Sequence, residues 1–308
     1  MPATPALRVP DAFAVSYGAT GPQARAWLTG LPRLGEEFLA RWDLRPDGPP
    51  THGMASLVLP VLRADGTPAV LKFQQPREET AGVAAGLRAW NGDGAVRLLG
   101  HDEDSGTQLL ERLDASRTLA SLTDSRAALQ TLAELMARLT AVPAPQGLRR
   151  LADIAAAMLD QVPRAVRALH DPAERQLVRS WARAVAELAG EAGDRLLHWD
   201  LHDGNVLAGD RHPWLAIDPE PLVGDPAFEL WPALDARLHE AIASADPERA
   251  VLRGFDHLTA VLALDRRRAA GWTLGRILQN TLWEIEDGST ALDPAQLVIA
   301  RAVQRRAR

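Results

Sequence analysis

At 308 residues the chain is long enough to bury a full core and to divide into two lobes, and its 24% charged and 46% hydrophobic residues are those of an ordinary globular protein. It contains no cysteine, which excludes disulfides, thiolate nucleophiles and cysteine-held metal centres, and no apolar run approaches the ~20 residues that a membrane span requires. A formal net charge of −6 argues against a nucleic-acid partner and suits a cationic ligand, and with no basic start followed by an apolar block near Met1 a cytoplasmic location is expected.

Residues 1–20 carry Pro2, Pro5 and Pro10 without a sustained period and read as an arm lying on the fold. Over 23–42 the apolar positions recur at helical spacing, and Pro32 is expected to kink or divide that helix. Residues 52–73 read as strand, turn at Asp65-Gly66 and strand, with Lys72 near the end of the second and Gly53 and Ser56 ahead of the first. Residues 78–90 are helical in period, with Glu78 and Glu79 as the acids on the helix. The segments 95–100 and 107–112 pair as strands, and 111–114, containing Glu111 and Leu113, marks a hinge before a mainly helical remainder. The chain therefore divides into 1–113 and 114–308. In the second part, helices are expected over 124–140 and over 151–169 with a disturbance at Pro163. Asp171-Pro172-Ala173-Glu174, Asp246-Pro247 and Asp293-Pro294 each open a helix with an aspartate cap and a proline in the first turn, and 265–287 forms another that Gly288 stops.

Two features carry chemistry. Of the 34 lysines and arginines Lys72 alone is a lysine, which marks a place where a compact ammonium cannot be exchanged for a planar guanidinium. Residues 196–219 read LLHWDLHDGNVLAGDRHPWLAIDP, with His198, Asp200, Leu201 and Asn205 in H-x-D-L-x-x-x-N spacing and Asp218 after two short apolar runs. Phosphoryl transfer needs this set: the first aspartate to accept the proton of a substrate hydroxyl, the asparagine and the later aspartate to hold magnesium. The runs 206–208 and 214–217 read as a hairpin that brings Asn205 and Asp218 to one end. A metal site of His198, Asp200 and His202 is the competing reading, and it gives neither Asn205 nor the hairpin a role.

On ASLVLPV with ADGTPAVLK, GDGAVRLL with LLERL, and HWDLHDGNVL with PWLAIDP and VGDPAF, the chain resembles the aminoglycoside phosphotransferase family of kinase-like enzymes, in particular its streptomycin 6-kinase and hydroxyurea-resistance kinase branch. The resemblance implies an α+β, protein-kinase-like bilobal fold, with a small sheet-rich nucleotide-binding lobe over 1–113 and a larger, mainly helical lobe over 114–308 that carries the catalytic loop and the acceptor-binding helices. It implies ATP- and Mg2+-dependent phosphorylation of an alcohol group on a small molecule, an aminoglycoside such as streptomycin. By matching position Asp200 is the catalytic base, Asn205 and Asp218 are the magnesium ligands and Lys72 is the phosphate contact. Ser56, Glu79, Glu111 and Leu113 complete the expected nucleotide site, and Asp225 is a loop-bracing acid. For a cationic acceptor the expected carboxylates are Asp203 and the pair Glu284 and Asp287, three apart on one helix face. The chain departs from the family at Trp199, where glycine is usual, at His52 in the nucleotide loop, at Val83, where the acid pairing the lysine is expected, and at Glu220 and Glu229. Two readings stand beside this one: a kinase of a cellular amino alcohol or sugar derivative, and a nucleotide-binding pseudokinase scaffold.

Overall fold

The computed structural model describes residues 7–307 and forms two compact units, Met1–Leu113 and Asp114–Arg308. Residues 1–6 of the expected arm lie outside the described residues. The rest of that arm is not irregular, because α1 (Asp11–Gly18) forms there. Its Phe13 and Tyr17 are four apart, stack at 5.2 Å and are both buried, so one helical turn suffices to anchor it. Helix α2 (Pro22–Arg41) runs through Pro32 without dividing. An interior proline forfeits one hydrogen bond and costs about 3 kcal/mol, and the burial of Leu28, Leu31, Phe38 and Leu39 along one face offsets it.

The first unit is completed by β1 (Arg45–Pro46), β2 (Thr51–His52), β3 (Ser56–Leu62), β4 (Pro68–Gln74), α3 (Glu78–Ala81), α4 (Val83–Trp90), β5 (Leu98–His101) and β6 (Gln108–Glu111). Its strands make one antiparallel sheet in the order β1-β3-β4-β6-β5, with β2 added to β3. Alternation sends Leu57, Leu59 and Val61 of β3 and Ala69, Leu71 and Phe73 of β4 into one core with the apolar faces of α1 and α2. The helix expected over 78–90 is two helices parted at Gly82. Only the second has an apolar face to bury, through Val83, Ala84, Leu87 and Trp90.

The second unit contains β7 (Asp114–Thr118), α5 (Ser125–Thr140), β8 (Arg149–Arg150), α6 (Leu151–Ala168), α7 (Pro172–Leu188), β9 (Arg195–Leu197), β10 (Val206–Ala208), β11 (Leu215–Ala216) and β12 (Leu222–Gly224). It ends with α8 (Leu230–Asp235), α9 (Leu238–Ile242), α10 (Pro247–Val261), α11 (Arg266–Glu286) and α12 (Pro294–Ala307). Two small sheets, β11-β10-β7 and β8-β12-β9, frame the segment expected to carry chemistry. Asp124, Asp171, Asp246 and Asp265 each cap a helix by accepting backbone N–H groups of its first turn. Glu174 does not close a box on Asp171; its carboxylate accepts the Leu292 N–H instead. Helix α6 continues through Pro163. Helix α11 is buried nearly all round from Ala269 to Leu282 and packs on α6, α7 and α12, so it is the axis of the unit. Among the described residues no helix is long and apolar enough to cross a membrane.

Candidate active site

Strand β9 delivers the chain to His198, whose ring is fully buried beside the Ile217 carbonyl, 3.0 Å from Nε2. Desolvation pushes its pKa down to about 4, so the imidazole is neutral near pH 7, and Nε2–H donates to that carbonyl. Trp199 follows in the left-handed region, at φ 74°, a conformation that is strained for a bulky side chain and open to the glycine usual at this place. Glu229 holds both residues: one carboxylate oxygen accepts the His198 N–H at 3.2 Å and the other the Trp199 N–H at 2.6 Å. Burial pushes the Glu229 carboxyl up to about 7, against the opposing effect of those two hydrogen bonds. Asp225 braces the next turn. It caps Ala227 at 2.8 Å, accepts the Trp272 indole N–H at 3.2 Å and is ion-paired with Arg268.

Asp200 stands next to this clamp with its carboxylate 42% exposed. Asn205 Nδ2 donates to the Asp200 carbonyl at 3.0 Å and to its carboxylate at 3.2 Å, which fixes the side chain from within the loop. His202 Nδ1 accepts the Gly204 N–H at 3.1 Å. Its Nε2 lies 3.7 Å from the Asp200 carboxylate. The hairpin forms as expected, with Val206 opposite Ala216 and Leu207 opposite Leu215. The Ile217 N–H donates to the Asn205 carbonyl at 2.9 Å, so Asn205 and Asp218 meet at one end, with Asp218 at φ 57°. Among the described residues no group of three or more His, Cys, Asp or Glu is placed to hold a metal, and the His198, Asp200 and His202 site falls with that.

Two of the three expected acceptor carboxylates have partners within the chain. Asp203 is buried and bonded to Arg237 Nε at 2.9 Å. Arg237 also donates to Ser125, Glu240 and the carbonyls of Leu119 and Leu122, so Asp203 ties its loop to the start of α5. Glu284 accepts from Gln296 Nε2 of α12 at 2.7 Å, and burial beside Asp293 raises its carboxyl above the ordinary range. Asp287 is exposed at the end of α11. A helix advances about 100° per residue, and it is Trp283, one position before Glu284, that reaches the catalytic loop, 6.4 Å from Trp199.

In the first unit Lys72 lies on β4 between Val58 and Gln108, with 4% of its surface exposed. Ser56 opens β3 opposite Gln74 and is also buried. Glu111 accepts the Arg97 N–H at 2.7 Å, and Leu113 is half-buried. Glu78 and Glu79 are exposed on the separate turn α3. His52 stacks on Phe13 at 5.1 Å, which gives the departure from glycine in that loop a packing role.

Sequence reading missed Arg276, midway along α11, and Arg149 of β8. Both guanidinium groups stack on the Trp199 indole, at 4.1 and 5.3 Å. Nothing local singles out either one in a chain so rich in arginine.

A loop aspartate held by an asparagine, a second aspartate returned to it by a hairpin, and a buried lysine on an antiparallel sheet are the parts of a kinase-like phosphotransferase. The family described as aminoglycoside/hydroxyurea antibiotic resistance kinase matches residues 41–288, and the chain belongs to it. It is 63% identical over 299 residues to the streptomycin 6-kinase of Streptomyces glaucescens, covering 97% of each chain. It is 55% identical to the hydroxyurea phosphotransferase of Kitasatospora aureofaciens, covering 94% of this chain and 83% of that one. Among solved structures it shares its fold with the aminoglycoside phosphotransferase APH(4)-Ia, at a TM-score of 0.60 and 20% identity over 89% of this chain and 98% of that one. The fold is thus α+β, kinase-like and bilobal, and the protein is a phosphotransferase acting on a hydroxyl group.

Proposed function

We propose that the enzyme transfers the γ-phosphoryl group of ATP to a hydroxyl of streptomycin or a closely similar cationic aminoglycoside, in the cytoplasm. The observation that carries this reading is the meeting of Asp200, Asn205 and Asp218 at one end of the β10–β11 hairpin, in a chain that matches a streptomycin 6-kinase over nearly its whole length.

Asp200 accepts the acceptor's hydroxyl proton. Its partial exposure leaves it within reach of a ligand, and its bond from Asn205 keeps one orientation. The Asn205 amide oxygen and the Asp218 carboxylate are hard oxygen donors, few in number, which fits Mg2+, an ion that keeps several waters and binds through one or two carboxylates together with phosphates. Bound there, Mg2+ supplies neutralisation of the charge that develops on the phosphoryl group. Lys72 meets the phosphate oxygens with a compact ammonium, and its place in a three-strand ladder keeps that ammonium from drifting. Ser56, Glu111 and Leu113 belong to the nucleotide side of this reading, and Glu79 is the acid proposed to answer Lys72. Asp287, the exposed member of the expected acceptor pair, is proposed to meet a cationic group of the acceptor.

The test is acceptor-dependent ADP release from purified protein with streptomycin, hygromycin B, hydroxyurea and simple amino alcohols. Turnover is expected with streptomycin, falling by about a thousandfold in Asp200→Asn. Asp218→Ala is expected to abolish the tightening of nucleotide binding by Mg2+ in calorimetry. The 55% identity to a hydroxyurea phosphotransferase favours one second reading, a small neutral acceptor. Turnover with hydroxyurea and none with streptomycin decides for it.

A further inference from the structure

Arg276 has 4% of its surface exposed and sits inside a box of four aromatic rings. Its guanidinium carbon lies 4.1 Å from the ring centre of Trp199, 5.8 Å from Phe228, 5.8 Å from Trp231 and 5.9 Å from Trp283. Two of its nitrogens, Nε and Nη1, are buried with no hydrogen-bond partner among the described residues. The cation is therefore held by ring faces and by charge. Burial lowers its pKa to about 10, and Asp200, then Glu229 and Glu220, are the carboxylates that oppose the loss, while Arg149 adds to it.

Such a placement is expensive for a residue that only fills space. A buried cation with unmatched donors costs more than an apolar side chain of the same length, so the charge itself has a use at this point. That use is visible in Trp199, whose left-handed backbone persists only where its surroundings impose it. Glu229 fixes the Trp199 N–H, and Arg276 fixes the indole ring. Were the ring to leave its seat, the backbone at 199 would relax, and Asp200 is bonded directly to it.

We infer that Arg276 is a positioning residue for phosphoryl transfer: seated in the aromatic box and stacked on Trp199, it holds that residue in its left-handed conformation and thereby sets the place of Asp200. The inference rests on Asp200 being the base, as proposed above. Tryptophan in the place of glycine and arginine in the box form one device, and neither has its purpose without the other.

The test uses the full chain, ATP and the acceptor that supports turnover. Arg276→Ala is expected to lower kcat by about a hundredfold and to leave the KM for ATP within about twofold, because the residue acts on the loop and not on nucleotide binding. Guanidinium chloride at millimolar concentration refills the box and restores at least about tenfold of that loss, while sodium chloride at equal ionic strength does not. In a Trp199→Gly background, which needs no clamp, the same substitution costs less than about threefold. Arg276→Met fills the box without charge and carries the test if the alanine chain does not fold; its kcat is expected to fall equally. The proposal is overturned by a methionine variant with full kcat, or by an alanine loss that guanidinium does not relieve and that is the same size in the glycine background. Asp200→Asn in the same assay separates the two assignments. An inactive Asp200→Asn beside a fully active Arg276→Met sinks the positioning role alone, whereas full turnover in Asp200→Asn sinks the base assignment and this inference with it.

Discussion

Two buried cations, Lys72 in the first unit and Arg276 in the second, are held in opposite ways. Lys72 lies near the end of β4, a strand flanked by β3 on one side and β6 on the other, and its position is set by backbone pairing that does not depend on which side chain is present. Arg276 and the loop it touches are held by side chains: rings around the guanidinium, Glu229 under two backbone N–H groups, and Arg237 on Asp203. A site built on a ladder tolerates substitution structurally and fails chemically. A site built on buried charges fails in both respects, since removing one partner leaves the other unmatched in a low-dielectric place.

The sharpest way to break this contrast is Arg237→Ala. It strips Asp203 of its only ion-pair partner among the described residues and unties four elements, so a loss of about 3–5 kcal/mol is expected in urea unfolding. A loss below about 1 kcal/mol shows that the loop is held by something other than buried charge.

Glu229 gives the next effect, and it has a sign in pH. Its carboxyl is raised from 4.5 to about 7 in the folded chain, so its contribution to stability is full below 4.5 and is lost as pH rises through about 7. His198 runs the other way: lowered from 6.5 to about 4, it contributes above 6.5 and loses that contribution as pH falls through about 4. Glu229→Gln removes the first dependence and keeps the second. The unfolding free energy of the parent minus that of the variant is therefore expected to fall by about 3 kcal/mol from about pH 4 to pH 8, whatever its absolute value. A difference that stays flat across that range means the carboxyl titrates alike in both states.

Lys72→Arg sharpens the comparison from the other side. The ladder is indifferent to the change, so the melting temperature is expected to stay within about 2 °C, while under the phosphate role proposed for Lys72 turnover is expected to fall by about a hundredfold, a planar guanidinium being a poor substitute for a compact ammonium. Unchanged kinetics make the sole lysine incidental.

Much of this molecule is written locally. Aspartate before proline announced the helix starts, because a cap and a fixed φ act within one turn. The hairpin after Asn205 was legible because two short apolar runs around a turn admit one register that pairs them, and the register carries Asp218 with it. Local rules left open whether Pro32 divides its helix, and the burial of a whole helix face keeps it continuous; they misled at residues 11–18, where two aromatic residues anchor a helix too short for periodicity to reveal.

By itself the sequence determined the family and the hairpin that brings Asn205 and Asp218 to one end, both of which are written in short stretches of neighbouring residues. Only the tertiary structure decided which acids do what. Glu229 lies 30 residues from the N–H it clamps, Arg237 lies 34 from Asp203, and Arg276 reaches Trp199 from a distant helix. The loss of Asp203 and Glu284 to internal partners was equally out of sight. A buried charge takes its role from whatever shares its low-dielectric surroundings, and those surroundings exist only once helices far apart in the chain have packed.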